Sequence, residues 1–446
     1  MTDTDRQQEE FAENLFKRAS GIARVFKLDF AACRFSPGSS AQKRAQELIL
    51  EAIAQPDSLN CDLYRKKALQ FGVTDISPSA ALWMEKAEKD YSIRKLMIEQ
   101  EMAQCQASAI REQLRRCYID AAALSIARGD ISTGKQSLQQ CKEYCGSIKQ
   151  SVEVSLAYLE LALITSEWNV AASILNRNEL LVILKDDSGS IESSKVRAAH
   201  GLHALSQSAN LYSAARHFLS VSASLGDSFN TVVHVEEIST YAILCALASF
   251  SRDELKQLVL GNIRAKALLE LQPGLCEAVQ NTVNGRYAEA REAVERIRCD
   301  LVLDECIAPY VDVIYRGIQM RSMVSYITPY IVADLRIMAG TFKRSLQEIV
   351  KDVAELISQQ TVSGRIDAQE LTYTKHTADP RKAAVSRILH DGRTFLVESR
   401  SLVMRSALLK ADVVARFDVS REREREPPSH SRDRVDVHEM MEARVD

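Results

Sequence analysis

Few residues in this sequence can turn a chain sharply. Only 16 glycines and 9 prolines occur among 446 residues, too few for the tight turns of an all-β sandwich or barrel. Charge of one sign is also lacking, with 57 Lys and Arg against 60 Asp and Glu. So even a balance gives no electrostatic pull toward nucleic acid or an anionic membrane, and neither is expected as a partner. No C-x-x-C occurs, and the ten cysteines follow no paired spacing. That excludes a zinc ribbon or a disulfide framework and leaves reduced, mostly buried thiols. The longest apolar run, "YAILCALASF" at 241–250, is about half of what a bilayer span requires. The opening "MTDTDRQQEEF" is acidic and lacks the apolar stretch of a signal peptide. A cytoplasmic and nuclear location is the expectation.

Catalytic constellations are missing too. Neither H-E-x-x-H nor G-x-S-x-G occurs. One motif comes near a phosphate loop: Gly129, four residues, then Gly134 and Lys135. Such a loop needs a buried strand before it and a Ser or Thr after the Lys to hold magnesium. Here the preceding "CYIDAAALSIA" is Ala-rich and helical, and Gln136 follows the Lys. The motif reads as a turn, with Gly129 closing one helix and Ser132 or Thr133 capping the next. His200 with His203, and Cys141 with Cys145, could each face one ligand, but two ligands do not make a tetrahedral metal site. No catalytic residue, metal or cofactor is expected.

What the sequence does hold is helix. From 41 to 357 apolar residues recur at helical spacing among Ala, Leu, Glu, Lys, Gln and Arg. Breaks at Gly129-Asp130, Glu167-Trp168, Asn210-Leu211, Ser251-Arg252 and Gly285-Arg286 lie 34 to 43 residues apart. One helix pair per such period predicts a mainly α, tetratricopeptide-like solenoid. "SEWNVAASIL", "SANLYSAARHFL" and "NGRYAEAREAV" share a layout of polar break, aromatic and Ala-rich helix, in which the small side chains let paired helices approach closely.

After 318 the pattern changes. "RSMVSYI" and "YIVADLRIMAGTF" read as two short helices joined at Pro329. A third, "KRSLQEIVKDVAELISQQ", carries Leu346, Ile349, Val350, Val353, Leu356 and Ile357 on one face. Gly364 then turns the chain, and Ile366 followed by Leu371 and Tyr373 alternates as in a small hairpin. Three helices and a hairpin predict a winged helix. Glu348, Asp352 and Glu355 on the third helix's expected solvent face would repel DNA. The hairpin edge, with Gly364, Ile366, Leu371 and Tyr373, reads instead as a place for a neighbouring subunit's strand.

A single long helix is expected from 383 to 415. Ile388, Phe395, Leu402 and Leu409 sit seven apart, as do Leu389, Leu396 and Val403 one position on. That repeat suits packing among other long helices in a bundle. The tail at 416–446 is charged, interrupted by Pro and nearly free of aromatics, and is expected to be disordered.

Solenoid, winged helix and long terminal helix together resemble the PCI-domain family. That family supplies scaffold subunits to the proteasome lid, the COP9 signalosome and translation initiation factor three. The likeness is carried by "TYAILCALASFSRDELKQLVL" (240–260), "LLELQP" (268–273) and residues 301–342, "LVLDECIAPYVDVIYRGIQMRSMVSYITPYIVADLRIMAGTF". "ALWMEKAEK", "SAIREQLRR" and "ARGDISTGKQSLQQCKEYC" extend it toward the N-terminus. It favours the signalosome branch over the lid, the alternative. The resemblance implies this organisation: an N-terminal, partly helical segment over 1–40, a solenoid over 41–232 and the helical repeats of a PCI domain over 233–318. A winged helix over 319–376, the bundle helix and the tail complete it. It further implies a non-catalytic scaffold that supports removal of the ubiquitin-like protein NEDD8 from cullins by a zinc isopeptidase in another subunit. Subunits two and three would be its neighbours, and cullin–RING ligases would be met through the assembled complex.

Overall fold

A computed structural model of the protein describes residues 3–55, 58–72, 78–108, 111–185, 189–207, 210–376 and 380–411. The chain divides after His376 into two compact units. The expected disordered tail at 416–446 lies outside the described residues.

In the first unit the helices break where the sequence does. Arg111–Arg128 gives way to Ile131–Glu143, Ile148–Ile164 to Trp168–Leu175, and Ile191–Ser206 to Leu211–Leu219. Further on, Val235–Ser249 is followed by Arg252–Glu254, and Pro273–Asn284 by Tyr287–Arg296. Local chemistry starts several of these helices. Ser147 with Gln150, His234 with Glu237, and Ser251 with Glu254 each exchange side-chain and backbone hydrogen bonds across a helix N-terminus. Pairing then buries the small faces: Ala198, Ala199, Ala214 and Ala215 are fully enclosed near Phe218, whose ring meets Tyr241 edge to face at 6.0 Å. This core continues from Val152 to Ile314.

A second core is N-terminal. Asp3–Arg18, Gly21–Arg34 and Ser40–Ile53 pack around Leu28, Ile49 and Ile53, and Leu303 joins them from far along the chain. Charge fastens the return. Lys27 meets Glu237 at 2.8 Å, Arg18 meets Glu236 at 2.6 Å, and Arg34 donates to the Val302 carbonyl at 2.7 Å. The sequence expectation for residues 1–40 held only partial helix; their docking against the 235–304 region is a finding of the structure. Pro78–Ser108 is buried near its start, at Ala80, Met84 and Ala87, and again near its end, at Cys105. Between those points it exposes Ile93, Leu96 and Met97.

The unit ends in a winged helix. Val311–Ile327 leads to β1 (Val332–Asp334), helices Leu335–Phe342 and Leu346–Ser358, then β2 (Gly364–Asp367) and β3 (Thr372–Lys375). The sheet order is β1-β3-β2, antiparallel throughout. Met323, Leu335, Met338, Ile349, Val353 and Tyr373 form its core. The segment "YIVADLRIMAGTF", expected to be one helix, is part strand. Pro329 interrupts the helical run, β-branched Ile331 and Val332 favour extended backbone, and Asp334 caps the helix by accepting the Arg336 N–H at 2.7 Å.

Of the second unit, the described residues form the helix Pro380–Lys410. Its 31 residues span about 46 Å at 1.5 Å each. The expected continuation to 415 passes outside the described residues after 411.

Candidate subunit interfaces

Hydrogen bonds at its ends fix which way the wing's backbone faces. Ser363 accepts the His376 N–H at 3.1 Å, Ile331 accepts that of Lys375 at 2.7 Å, and Leu371 accepts that of Leu335 at 3.0 Å. Antiparallel residues alternate between facing the partner strand and facing away. Counting inward from these bonds along the register, Thr372 and Thr374 face β2 while Tyr373 faces β1. Gly364 and Ile366, opposite Lys375 and Tyr373, therefore turn their backbone groups away from β3. Among the described residues nothing pairs with these outward backbone groups, and the two residues form a free sheet edge.

Leu371 and Tyr373, expected at the same edge, are not there. Tyr373 lies on the central strand with its ring fully enclosed, donating its hydroxyl to the Ser363 carbonyl at 2.8 Å. Leu371 is half-buried in the turn at φ 56°, its carbonyl taken by Leu335. The correction follows from the third strand, β1, which takes the side of β3 that a simple hairpin would leave open. Gly364 also makes room for the core, since a Cβ there would sit 2.3 Å from the Tyr373 ring. Sequence reasoning also missed Tyr330, Ile331, Val332 and Ile337, all exposed on or beside β1. The signal available was "PYIV", a proline followed by an aromatic and a β-branched pair.

The acidic face of the third helix differs as well. Asp352 is only 5% exposed and pairs with Arg344 at 2.7 Å. Glu348 meets the same guanidinium at 3.0 Å, and Glu355 pairs with Arg316. These carboxylates are held by cations of their own chain, so the expected open acidic face is not present in that form.

On Pro380–Lys410 every proposed bundle residue is exposed: Ile388, Leu389, Phe395, Leu396, Leu402, Val403 and Leu409, at 56 to 69%. Val385, Val397, Met404 and Leu408 join them. Among the described residues of its unit nothing covers the apolar surface of this 31-residue helix, and exposed apolar patches of such extent mark interaction surfaces.

The phosphate-loop lookalike is a helix joint. Gly129 takes φ 95°, and Asp130, rather than Ser132 or Thr133, occupies the cap position. Gly134 lies within the following helix, and Lys135 lies 2.8 Å from both Thr165 and Glu167 in the next pair. His200 stacks on His217 at 5.2 Å between ring centroids, and burial, with the neighbouring histidines, pushes it down to about 4. Cys145 donates weakly to the Cys141 carbonyl, and burial pushes the Cys141 thiol up to about 11. Among the described residues no three His, Cys, Asp or Glu side chains converge as metal ligands would.

Two kinds of comparison bear on this arrangement. Residues 81–258 match the family model of the 26S proteasome subunit RPN7. COP9 signalosome complex subunit 1 of Arabidopsis thaliana is 28% identical over 402 residues, covering 89% of this chain and 89% of its own length. Subunit 1b of Drosophila melanogaster is 26% identical, over 87% of this chain and 72% of its own. Subunit 1 of Emericella nidulans is 24% identical, over 85% and 79%. Over most of its length the chain is similar to proteins named COP9 signalosome complex subunit 1. With a mainly α solenoid, a winged helix and a long terminal helix in that order, its fold is of the PCI type expected from the sequence.

Proposed function

We propose that this chain is a non-catalytic scaffold subunit of a COP9 signalosome, supporting the removal of NEDD8 from cullins and so the regulation of cullin–RING ubiquitin ligases. The observation that carries the reading is the exposed apolar seam of Pro380–Lys410, on a chain aligned over most of its length with proteins named for that complex. A seam of this kind gains stability only when other helices cover it, each buried Leu or Ile adding about 1.5–3 kcal/mol. In this reading subunits two and three pair with the winged helix through the Gly364–Ile366 edge, and cullin–RING ligases are met by the assembled complex. Neither nucleic acid nor membrane is a partner, and the complex works in cytoplasm and nucleus.

The match to the proteasome subunit over 81–258 supports a second reading, a structural role in the proteasome lid. Affinity purification of the tagged chain followed by mass spectrometry separates the two. Signalosome subunits in stoichiometric amounts are the expected result. Recovery of lid subunits would move the assignment to the second reading, and recovery of the chain alone would end both.

A further inference from the structure

The exposed helix Pro380–Lys410 is unlike the rest of the chain in charge. Seven Lys or Arg stand on it against two acids, Asp391 and Glu398, whereas the whole sequence carries a net charge of −3. At about 100° per residue these charges are sorted around the apolar seam. Ile388, Phe395, Leu402 and Leu409 form one ridge, and Leu389, Leu396 and Val403 a second, about 100° away. Gly392, Ser399 and Ser406 fall between them. Asp391, Glu398 and Arg405, three positions after the first ridge, flank its outer side; Arg393 and Arg400, five positions after, flank the other side. The seam therefore has one border of mixed charge and one basic border, and basic residues prevail over the helix as a whole.

We propose that this helix is docked by a helical partner bearing a surplus of carboxylates, set against Arg393 and Arg400. The proposal rests on the reading of the seam as a helix-packing surface and adds the chemistry of its occupant. A second copy is a poor occupant, because it would bring the same five-charge surplus to a seam that already holds one. Polyanionic surfaces fit less well than a helix. Asp391 and Glu398 border the apolar ridge and would face lipid phosphates or a nucleic-acid backbone, while Arg387 and Arg405 lie on another side from Arg393 and Arg400. Helical partners satisfy both borders at once, as flanking charges do in paired long helices.

The test uses the full chain and two synthetic helical peptides of about four heptads. Both carry the same Leu and Ile seam, one with Glu and the other with Lys at the flanking positions; their own charges keep each monomeric. Binding is read by fluorescence anisotropy. The acidic peptide is expected to bind about tenfold tighter than the basic one and to lose that margin between about 50 and about 500 mM NaCl. In Arg393→Glu/Arg400→Glu the preference should shrink or invert, with circular dichroism unchanged. Equal binding of both peptides to the wild type would overturn the proposal while leaving the seam a helix-packing surface. Binding of neither peptide, or binding untouched by Ile388→Asp/Leu402→Asp, would remove the underlying reading as well. Tighter binding to phosphatidylserine vesicles or to a short DNA duplex than to the acidic peptide would assign the helix to a polyanion and overturn the proposal.

Discussion

Lys27 and Glu237, 210 positions apart, meet at 2.8 Å with 6% and 17% of their side chains exposed. Burial alone would lower the ammonium's pKa, but the Glu237 charge, helped by Asp304, outweighs it and raises it. The pair ties Gly21–Arg34 to Val235–Ser249 at the heart of the first unit. Lys27→Met leaves Glu237 without its cation, and breaking such a pair costs about 3–5 kcal/mol. Lys27→Met/Glu237→Gln should recover much of that loss, since replacing both members of a buried pair is often tolerated. Urea unfolding of the chain measures both, and a single variant as stable as the wild type would show that the pair does not fasten the N-terminal helices.

Beside that pair, Asp304 accepts the Cys306 N–H at 3.1 Å and the Tyr241 hydroxyl. Burial, then the Glu237 charge, push its carboxyl up to about 6, against the pull of Lys27 and the Tyr241 hydrogen bond. An acid whose folded pKa lies above its unfolded value binds more protons when folded. Its contribution to stability is full below about pH 4 and is lost as pH rises through about 6. Relative to Asp304→Asn, the wild type should therefore gain on the order of 2–3 kcal/mol between pH 7 and pH 4. A difference between the two that stays flat over this window would contradict the assignment.

The helical repeats were legible because their signals are local. Gly129, the capping Ser251 with Glu254, and the alternation of Ala and Leu faces each act within a few residues. Fold class and the long terminal helix followed from the same short-range evidence. What escaped was non-local. β1 has three residues, too few for a pattern, and it becomes a strand only because β3 arrives about forty residues later to pair with it. Asp352 looked solvent-facing by helical spacing, yet Arg344 and Gln319 enclose it. The Lys27–Glu237 contact had no sequence signal, since nothing near either residue announces the other. Of the interface residues, Gly364 and Ile366 fall on a free edge, whereas Tyr373 is central because β1 closes the far side of its strand.

Gly364 and Tyr373 give a sharp stability prediction. A Cβ at 364 would lie 2.3 Å from the Tyr373 ring, which is enclosed by the winged-helix core and cannot swing aside. Gly364→Val should cost about 1–3 kcal/mol through overpacking. Tyr373→Phe keeps the ring and loses only the hydrogen bond to Ser363, costing about 1 kcal/mol. Thermal unfolding of the two variants should rank them in that order; equal stability of Gly364→Val and wild type would mean the strand slides freely away from the ring.

Lys135, the would-be phosphate lysine, is 13% exposed and bridges Thr165 and Glu167 between successive helix pairs. Lys135→Ala should therefore lower stability by about 1 kcal/mol, within the range for charge-assisted hydrogen bonds. Calorimetric titration of ATP into the wild type should give no heat of binding. Saturable binding that disappears in the variant would reopen the nucleotide reading.

Ile388 and Leu402 lie on the same ridge of Pro380–Lys410, 69% and 63% exposed. Converting both to Asp removes nothing that the isolated chain buries, so its thermal midpoint and helical content should stay as they are. In an assembly the outcome reverses. Each buried apolar side chain would have contributed about 1.5–3 kcal/mol, and a carboxylate in its place must be desolvated without a partner. Two such changes should abolish co-purification with the other subunits while the chain itself remains folded. A drop in the isolated chain's stability would mean that the seam is covered from within, and normal incorporation of the double variant would mean that this helix is not what joins the chain to its complex.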